Sequence, residues 1–212
     1  MEQLDRERTS ADAAARRRRR LAPGDRRAEL VEAAIRTLRS DTTPANWVAA
    51  VTNEAGAAKG TFYVYFPSWE HMLAAVRQRI LWEASEPLRA ALGSDAGVDW
   101  WAVLERECER FVAVAVEFRT HHGLIFHADL PLESDSPLPS GPALLRAAID
   151  RGSEQGAFRA TDAEAAAALL FAAMHAATDA VLAGGEPARW IGVCLELAHG
   201  FLGPAPEVRD RR

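Results

Sequence analysis

The chain has 212 residues, of which 49% are hydrophobic and 26% charged, with two cysteines. That length suits one or two small domains with a substantial core, and the composition is that of a folded globular protein, not a disordered chain or a membrane protein. The net charge of −5 would argue against a nucleic-acid partner if it were spread evenly. It is not: residues 1–80 carry 14 basic against 10 acidic side chains, net +4, and residues 81–212 carry 11 against 20, net −9. The two parts have opposite electrostatic roles, as expected when one end sits on phosphate and the other does not.

No apolar run approaches the roughly 18 residues needed to span a bilayer, and Leu21-Ala22-Pro23 behind the arginines is no signal-peptide core. A cytoplasmic protein without a membrane partner is expected. Cys108 and Cys194 are far apart, with no CxxC and no histidine at ligand spacing. They read as small buried apolar residues in a reducing compartment, neither a disulfide nor a zinc site.

Residues 1–22 are polar, lack periodicity and contain the run Arg16–Arg20, which predicts a disordered basic arm. Asp25 caps a first helix to about Ser40, with Leu30, Val31, Ala34, Ile35 and Leu38 on one face. Thr43-Pro44, a cap and a first-turn proline, opens a second helix, where Val48, Val51, Thr52 and Ala55 share a face. Gly56 follows, where a left-handed helix terminus favours a residue without Cβ. A short third helix runs through Lys59, Thr61, Tyr63 and Tyr65 and stops before Pro67. Ser68 caps a long fourth helix that continues to about Leu92.

Residues 93–97 are a breaker. A fifth helix then carries Trp100, Leu104, Cys108, Phe111, Ala115 and Phe118 on one stripe, Gly123 interrupts it, and a short turn covers Leu124 to Ala128. Residues 129–142 hold four prolines and read as a loop. Helices follow at about Ala143–Gln155, Asp162–Leu182 and Glu186–Leu202, and the tail from Pro204 is polar. No segment has the period of a strand, so the fold class is all-α. The domains predicted are a basic arm (1–22), a helix-turn-helix unit (23–67), a larger helical domain (68–203) and a flexible tail (204–212).

The second and third helices, joined by the turn at Gly56, form a helix-turn-helix whose second member is the candidate for a DNA major groove. The wording AG-x-x-x-GTFY-x-YF, carried by Ala55, Gly56, Gly60, Thr61, Phe62, Tyr63, Tyr65 and Phe66, resembles the TetR (tetracycline-repressor) family of bacterial transcription regulators. The resemblance is strong in this stretch and weaker over the rest. It implies a homodimer that binds a palindromic double-stranded operator, most often as a repressor released by a small molecule. A constitutive or architectural DNA binder without an effector is the alternative.

Carried over residue by residue, the resemblance turns Lys59, Gly60, Thr61, Tyr63 and Tyr65 toward DNA. Gly60 lets the backbone approach closely, Thr61 meets phosphate or a thymine methyl, and Lys59 meets a guanine edge or a phosphate. The tyrosines offer hydroxyls to phosphate, or only pack. Lys59 is the single lysine among 25 basic side chains, a compact ammonium where the chain otherwise uses arginine. Two positions depart from the family: Trp47 stands where a threonine or serine is usual and Trp69 where a lysine is usual, both being phosphate contacts whose indoles can donate without charge. Arg18, Arg19 and Arg20 add contacts from the arm, either along a minor groove or as sequence-independent attraction.

In the acidic part, Trp82, Trp100, Phe111, Phe118, His122, Phe126, Met174 and His175 are the candidate lining of an effector chamber for an apolar or aromatic molecule. The last two helices are apolar on unusually wide faces and carry a stripe of alanines. They either pack within a monomer or form a two-fold four-helix interface through Ala168, Ala172, Ala176, Trp190, Cys194 and Phe201. His121, His122, His127 and His175 fit no recognised ligand spacing, so neither metal nor cofactor is expected. Gly152-Ser153 lacks the nucleophile-elbow order, and there is no phosphate loop, dinucleotide fingerprint or HExxH, so an enzyme is not expected.

Overall fold

The computed structural model describes residues 23–94, 97–131, 138–160 and 162–203. The arm with Arg18, Arg19 and Arg20 and the tail 204–212 lie outside the described residues. Nine α-helices and no strand occur among the described residues: α1 Pro23–Arg39, α2 Trp47–Glu54, α3 Lys59–Tyr65, α4 Trp69–Ala84, α5 Glu86–Leu92, α6 Trp100–Glu117, α7 Gly141–Glu154, α8 Ala163–Leu182 and α9 Pro187–Leu202. A 3₁₀ turn at Arg119–His121 and a π-helical turn at Gly123–His127 follow α6. The chain divides into two compact units, Met1–Met72 and Leu73–Arg212, with the boundary inside α4.

In the first unit, α1 buries Leu30, Val31, Ala34, Ile35 and Leu38, the face that its periodicity predicts. Helix α2 adds Val51 and Thr52, the latter donating to the carbonyl of Val48 at 2.8 Å. An ion pair of 2.7 Å between Arg36 and Glu54 links α1 to α2. Both partners are exposed, so it adds little stability. The second helix begins at Trp47, not at Pro44, because the Asn46 side chain accepts from Ala49 N–H and so sets the start.

In the second unit, the expected single helix Ser68–Leu92 is two helices. Pro87, inside that stretch, cannot donate to a preceding carbonyl and fits only a first turn. The helix therefore ends at Ala84 and restarts at Glu86 with Ser85 as N-cap. Helices α5 to α9 surround a core of Leu88, Trp100, Leu104, Phe111, Leu145, Ile149, Leu170, Met174 and Cys194. Helix α8 packs against α6, α7 and α9.

Helix α8 is long and apolar enough to cross a membrane by length and composition alone. Ten of its twenty residues are alanine, and Glu164, His175 and Asp179 interrupt it, so its longest unbroken apolar run, Ala165–Met174, stays well short of the roughly 18 residues that a span needs. Cys108 and Cys194 are both buried and unbridged.

Candidate nucleic-acid interface and ligand cavity

The turn between α2 and α3 is built by backbone bonds. Ala57 N–H donates to the carbonyl of Thr52 at 2.8 Å across Gly56, whose φ of 58° is the left-handed conformation. This closure terminates α2 and satisfies a carbonyl that the helix end leaves open. Ala58 is extended, and α3 begins at Lys59.

Phe62 and Phe66 are fully buried and pack ring to ring at 5.7 Å, with the Arg27 guanidinium over Phe66 at 4.8 Å. With Phe62 fixed inward, helical rotation of about 100° per residue carries Gly60 and Val64 to the opposite side. Lys59, Gly60, Tyr63 and Val64 are all exposed, Tyr63 by 54% and Val64 by 75%. A Cβ added at Gly60 would meet nothing within 4 Å. Thr61 and Tyr65 are half-buried on the flanks. Val64 was missed by sequence reasoning, although it follows Gly60 by four residues and so shares its face.

Trp47 and Trp69 stack on one another, with ring centroids 5.2 Å apart and planes 13° from parallel. Trp69 Nε1 is buried and has no hydrogen-bond partner among the described residues. The Trp69 N–H is thus buried away from solvent, against the reading that this indole can donate to phosphate, and its ring is stacked on Trp47.

A cavity in the second unit is lined by Leu81, Ala84, Phe111, Val114, Ala115, His122, Phe126, His175 and Thr178. The enclosed space is about 10 Å³, room for about one water, within about 220 Å³ that includes open solvent at the mouth. Phe111, His122, Phe126 and His175 line it as expected. Trp82, Trp100, Phe118 and Met174 do not. Trp100 is buried in the core and donates through Nε1 to Gln155 Oε1 at 2.8 Å, and Phe118 and Met174 are buried away from the opening. Trp82 lies under the Arg89 guanidinium at 4.3 Å, held by a 3.0 Å bond from Arg89 Nε to the Trp82 carbonyl.

The His175 ring lies edge to face against Phe111 and Phe171 at 4.9 and 4.7 Å. Burial holds the imidazoles of His122 and His175 below the usual histidine range, against the opposing pull of the Asp179 carboxylate. Both are neutral near pH 7, able to donate through one nitrogen and accept through the other. The hydroxyl of the remaining polar lining residue, Thr178, donates to the His175 carbonyl at 2.7 Å, so a bound molecule would meet chiefly ring faces, methyl groups and two imidazole edges.

Along the last two helices, Ala168, Ala172 and Ala176 are exposed, as are Leu169 (53%) and Phe201 (39%), with Trp190 half-buried. Cys194 is corrected from an interface residue to a core residue: it is 4% exposed and contacts the Ala173 carbonyl through Sγ at 3.6 Å. Val193 and Leu197, not singled out before, are exposed on α9 beside Phe201.

No family model matches the chain. A search of curated proteins finds similarity to the uncharacterized HTH-type transcriptional regulator YvdT of Bacillus subtilis (strain 168). It is 27% identical over 77 residues, which span 36% of this chain and 39% of that protein. Among solved structures, RolR in complex with its ligand resorcinol aligns at a TM-score of 0.58, with 22% identity over 86% of this chain and 89% of that one. Reduced NemR of E. coli aligns at 0.57, with 18% identity over 86% and 100%. A TetR transcription regulator of Haloarcula marismortui aligns at 0.54, with 19% identity over 84% and 99%.

Proposed function

From a chain with the TetR-family fold, we propose a ligand-responsive, DNA-binding transcription regulator, acting in the cytoplasm as a homodimer that releases a palindromic operator when a small aromatic molecule binds. The observation that carries this reading is helix α3. Its buried Phe62 and Phe66 anchor it, while Lys59, Gly60, Tyr63 and Val64 stand exposed beyond the turn at Gly56. That arrangement supports the reading-helix role, offering a donor for a guanine edge or phosphate, an apolar group for a thymine methyl and a backbone free to approach. Thr61 and Tyr65, on the flanks, are suited to phosphate. The stacked Trp47 and Trp69 rings would take the place of two polar phosphate contacts with an apolar surface.

The exposed row of Ala168, Leu169, Ala172 and Ala176 on α8, with Val193, Leu197 and Phe201 on α9, supports a two-fold interface between copies. Small side chains permit close helix approach, and the flanking apolar groups supply the area. Half-sites one helical turn apart, or a simple multiple, are then expected.

The effector reading rests on the cavity. RolR, of the same fold, is described with its ligand resorcinol, and the apolar lining here with its two imidazoles favours a single ring bearing a hydroxyl, for which the lining side chains must first move apart. Helix α4 suits the role of coupling element, because Trp69 at its start stacks on Trp47 and Leu81 and Ala84 near its end line the cavity. A ligand can shift the equilibrium only by preferring the non-binding geometry, typically by about 1–3 kcal/mol.

The experiment is a two-step series. Duplexes bound by the chain are selected from a random pool, and small phenols and benzoates are then screened for their release. An active compound must bind more weakly in the presence of operator, by the factor with which it weakens operator binding. Equal affinities with and without operator would leave a DNA binder without an inducer.

A further inference from the structure

We propose that His122, His127 and Asp179 form a binding site for one divalent transition-metal ion of the zinc class at the edge of the cavity. The proposal stands independently of the effector reading, since it concerns the ion alone. Local spacing gave no sign of it, because the third donor arrives from α8, 52 residues beyond His127.

The geometry is close to what an ion needs. One donor atom from each side chain lies within 4.8 Å of the others. His127 Nε2 is 2.9 Å from Asp179 Oδ1, and His122 Nδ1 is 3.8 Å from the same oxygen. Ligand bonds of about 2.0–2.2 Å in a tetrahedral shell put donor atoms about 3–3.5 Å apart. Small rotations of the His127 and Asp179 side chains, both about half exposed, would close the shell.

The backbone has an unusual shape where the two histidines meet. Residues five apart on an α-helix lie about 140° apart around the axis and cannot share a ligand. The π-helical turn Gly123–His127 widens the winding, so that residues i and i+5 come to the same side. The two imidazole rings are accordingly 5.2 Å apart. Such turns are rare and concentrate at functional sites. A plain His127–Asp179 ion pair explains the 2.9 Å contact but gives no reason for the buried Nδ1 of His122 to approach the same carboxylate.

Two imidazoles and one carboxylate suit zinc, iron, nickel or copper and not calcium or magnesium. Three protein donors leave a coordination position open. His122 itself and Thr178, the neighbour of Asp179, line the cavity, so the ion would sit on its wall.

The test uses the full chain, with any affinity tag removed, titrated with cobalt(II) and then zinc(II). One cobalt per chain with d–d absorption, displaced by zinc, is expected. His127→Ala and Asp179→Asn, both at half-exposed positions where folding should survive, should each weaken binding by more than tenfold. His199→Ala, an exposed histidine elsewhere, should leave it unchanged. Zinc should raise the melting temperature of the parent chain and not that of Asp179→Asn. No stoichiometric binding at micromolar metal would overturn the proposal. So would binding retained in the His127→Ala/Asp179→Asn double variant, and thiolate charge-transfer bands in that variant would assign the metal to Cys108 and Cys194.

Discussion

The three helices of the first unit and the bundle of the second keep their reactive groups in opposite places. In the first, Phe62, Phe66 and the apolar face of α1 are sealed inside, and Lys59, Gly60, Tyr63 and Val64 are exposed, with only the Tyr63 ring packing edge-on against Phe62 among these four. In the second, His122, His175 and Glu107 are buried or half-buried among apolar side chains. An exposed reading surface can be changed with little cost to the fold. A buried polar group cannot be changed without altering stability, because its environment already shifts its chemistry.

The α8 face is the sharpest place to challenge this division. Ala172 is exposed within one chain, so Ala172→Arg should leave the fold and its melting temperature intact in a monomer. In a dimer it would bury an unpaired charge, at a cost of about 3–5 kcal/mol. Sedimentation should show monomers and operator binding should collapse. A variant that remains dimeric would place the interface elsewhere.

Glu107 tests the bundle's interior. It is buried, its Oε2 has no hydrogen-bond partner among the described residues, and desolvation pushes its pKa up to about 7 despite bonds from Ser85 and from Leu88 N–H. With the folded pKa above the unfolded value, the folded chain holds the extra proton. Stability should therefore fall as pH rises from about 4.5 to 7 and level off above that. Glu107→Gln, which keeps a neutral polar group, should be more stable than the parent at pH 8 by on the order of 2–3 kcal/mol, with the gain vanishing near pH 4.5. Urea melts at pH 5 and pH 8 would show it, and an equal difference at both would mean that the carboxyl is not the cause.

On α3 the same kind of substitution should act in reverse. Gly60→Ala adds a methyl into open space and should stabilise the helix by about 0.5–1 kcal/mol, while weakening operator binding through collision with DNA. Lys59→Ala should cost about 1–3 kcal/mol at one base position if it reads a base, and act evenly on all sequences if it meets phosphate. Gly60→Ala that binds DNA as well as the parent would move the reading surface off this face. The smallest effect concerns the arginine run ahead of α1. Deleting residues 1–20 should flatten the log–log salt dependence by about 0.9 for each lost phosphate contact, and an unchanged slope would remove the arm from the interface.

What the sequence made legible follows the same division. The α1 face, the turn at Gly56 and the inward Phe62 are local features, set by spacings of three to five residues. The start of α2 was misplaced because Asn46, not Thr43, supplies the capping oxygen, and a nearby proline made the wrong cap attractive. Pro87 was passed over inside an otherwise apolar helical stretch, so α4 was drawn too long. In the bundle, aromatic content pointed to a cavity but could not say which rings face it: Phe111 and Phe126 do, whereas Trp100 is tied to Gln155, 55 residues away. The meeting of His122, His127 and Asp179 depends on a π-turn and a distant helix, neither of which leaves a mark in local spacing.

The central claim, that α3 reads DNA from its exposed face, is tested most directly by selecting duplexes from a random pool with two proteins side by side. One is the parent chain, and the other carries Lys59→Ala, Thr61→Ala and Tyr63→Phe together, with its helicity and melting temperature checked. The account predicts that the parent enriches a single (pseudo)palindrome and that the triple variant, equally folded, enriches none. Enrichment of the same sequence by both proteins would contradict it.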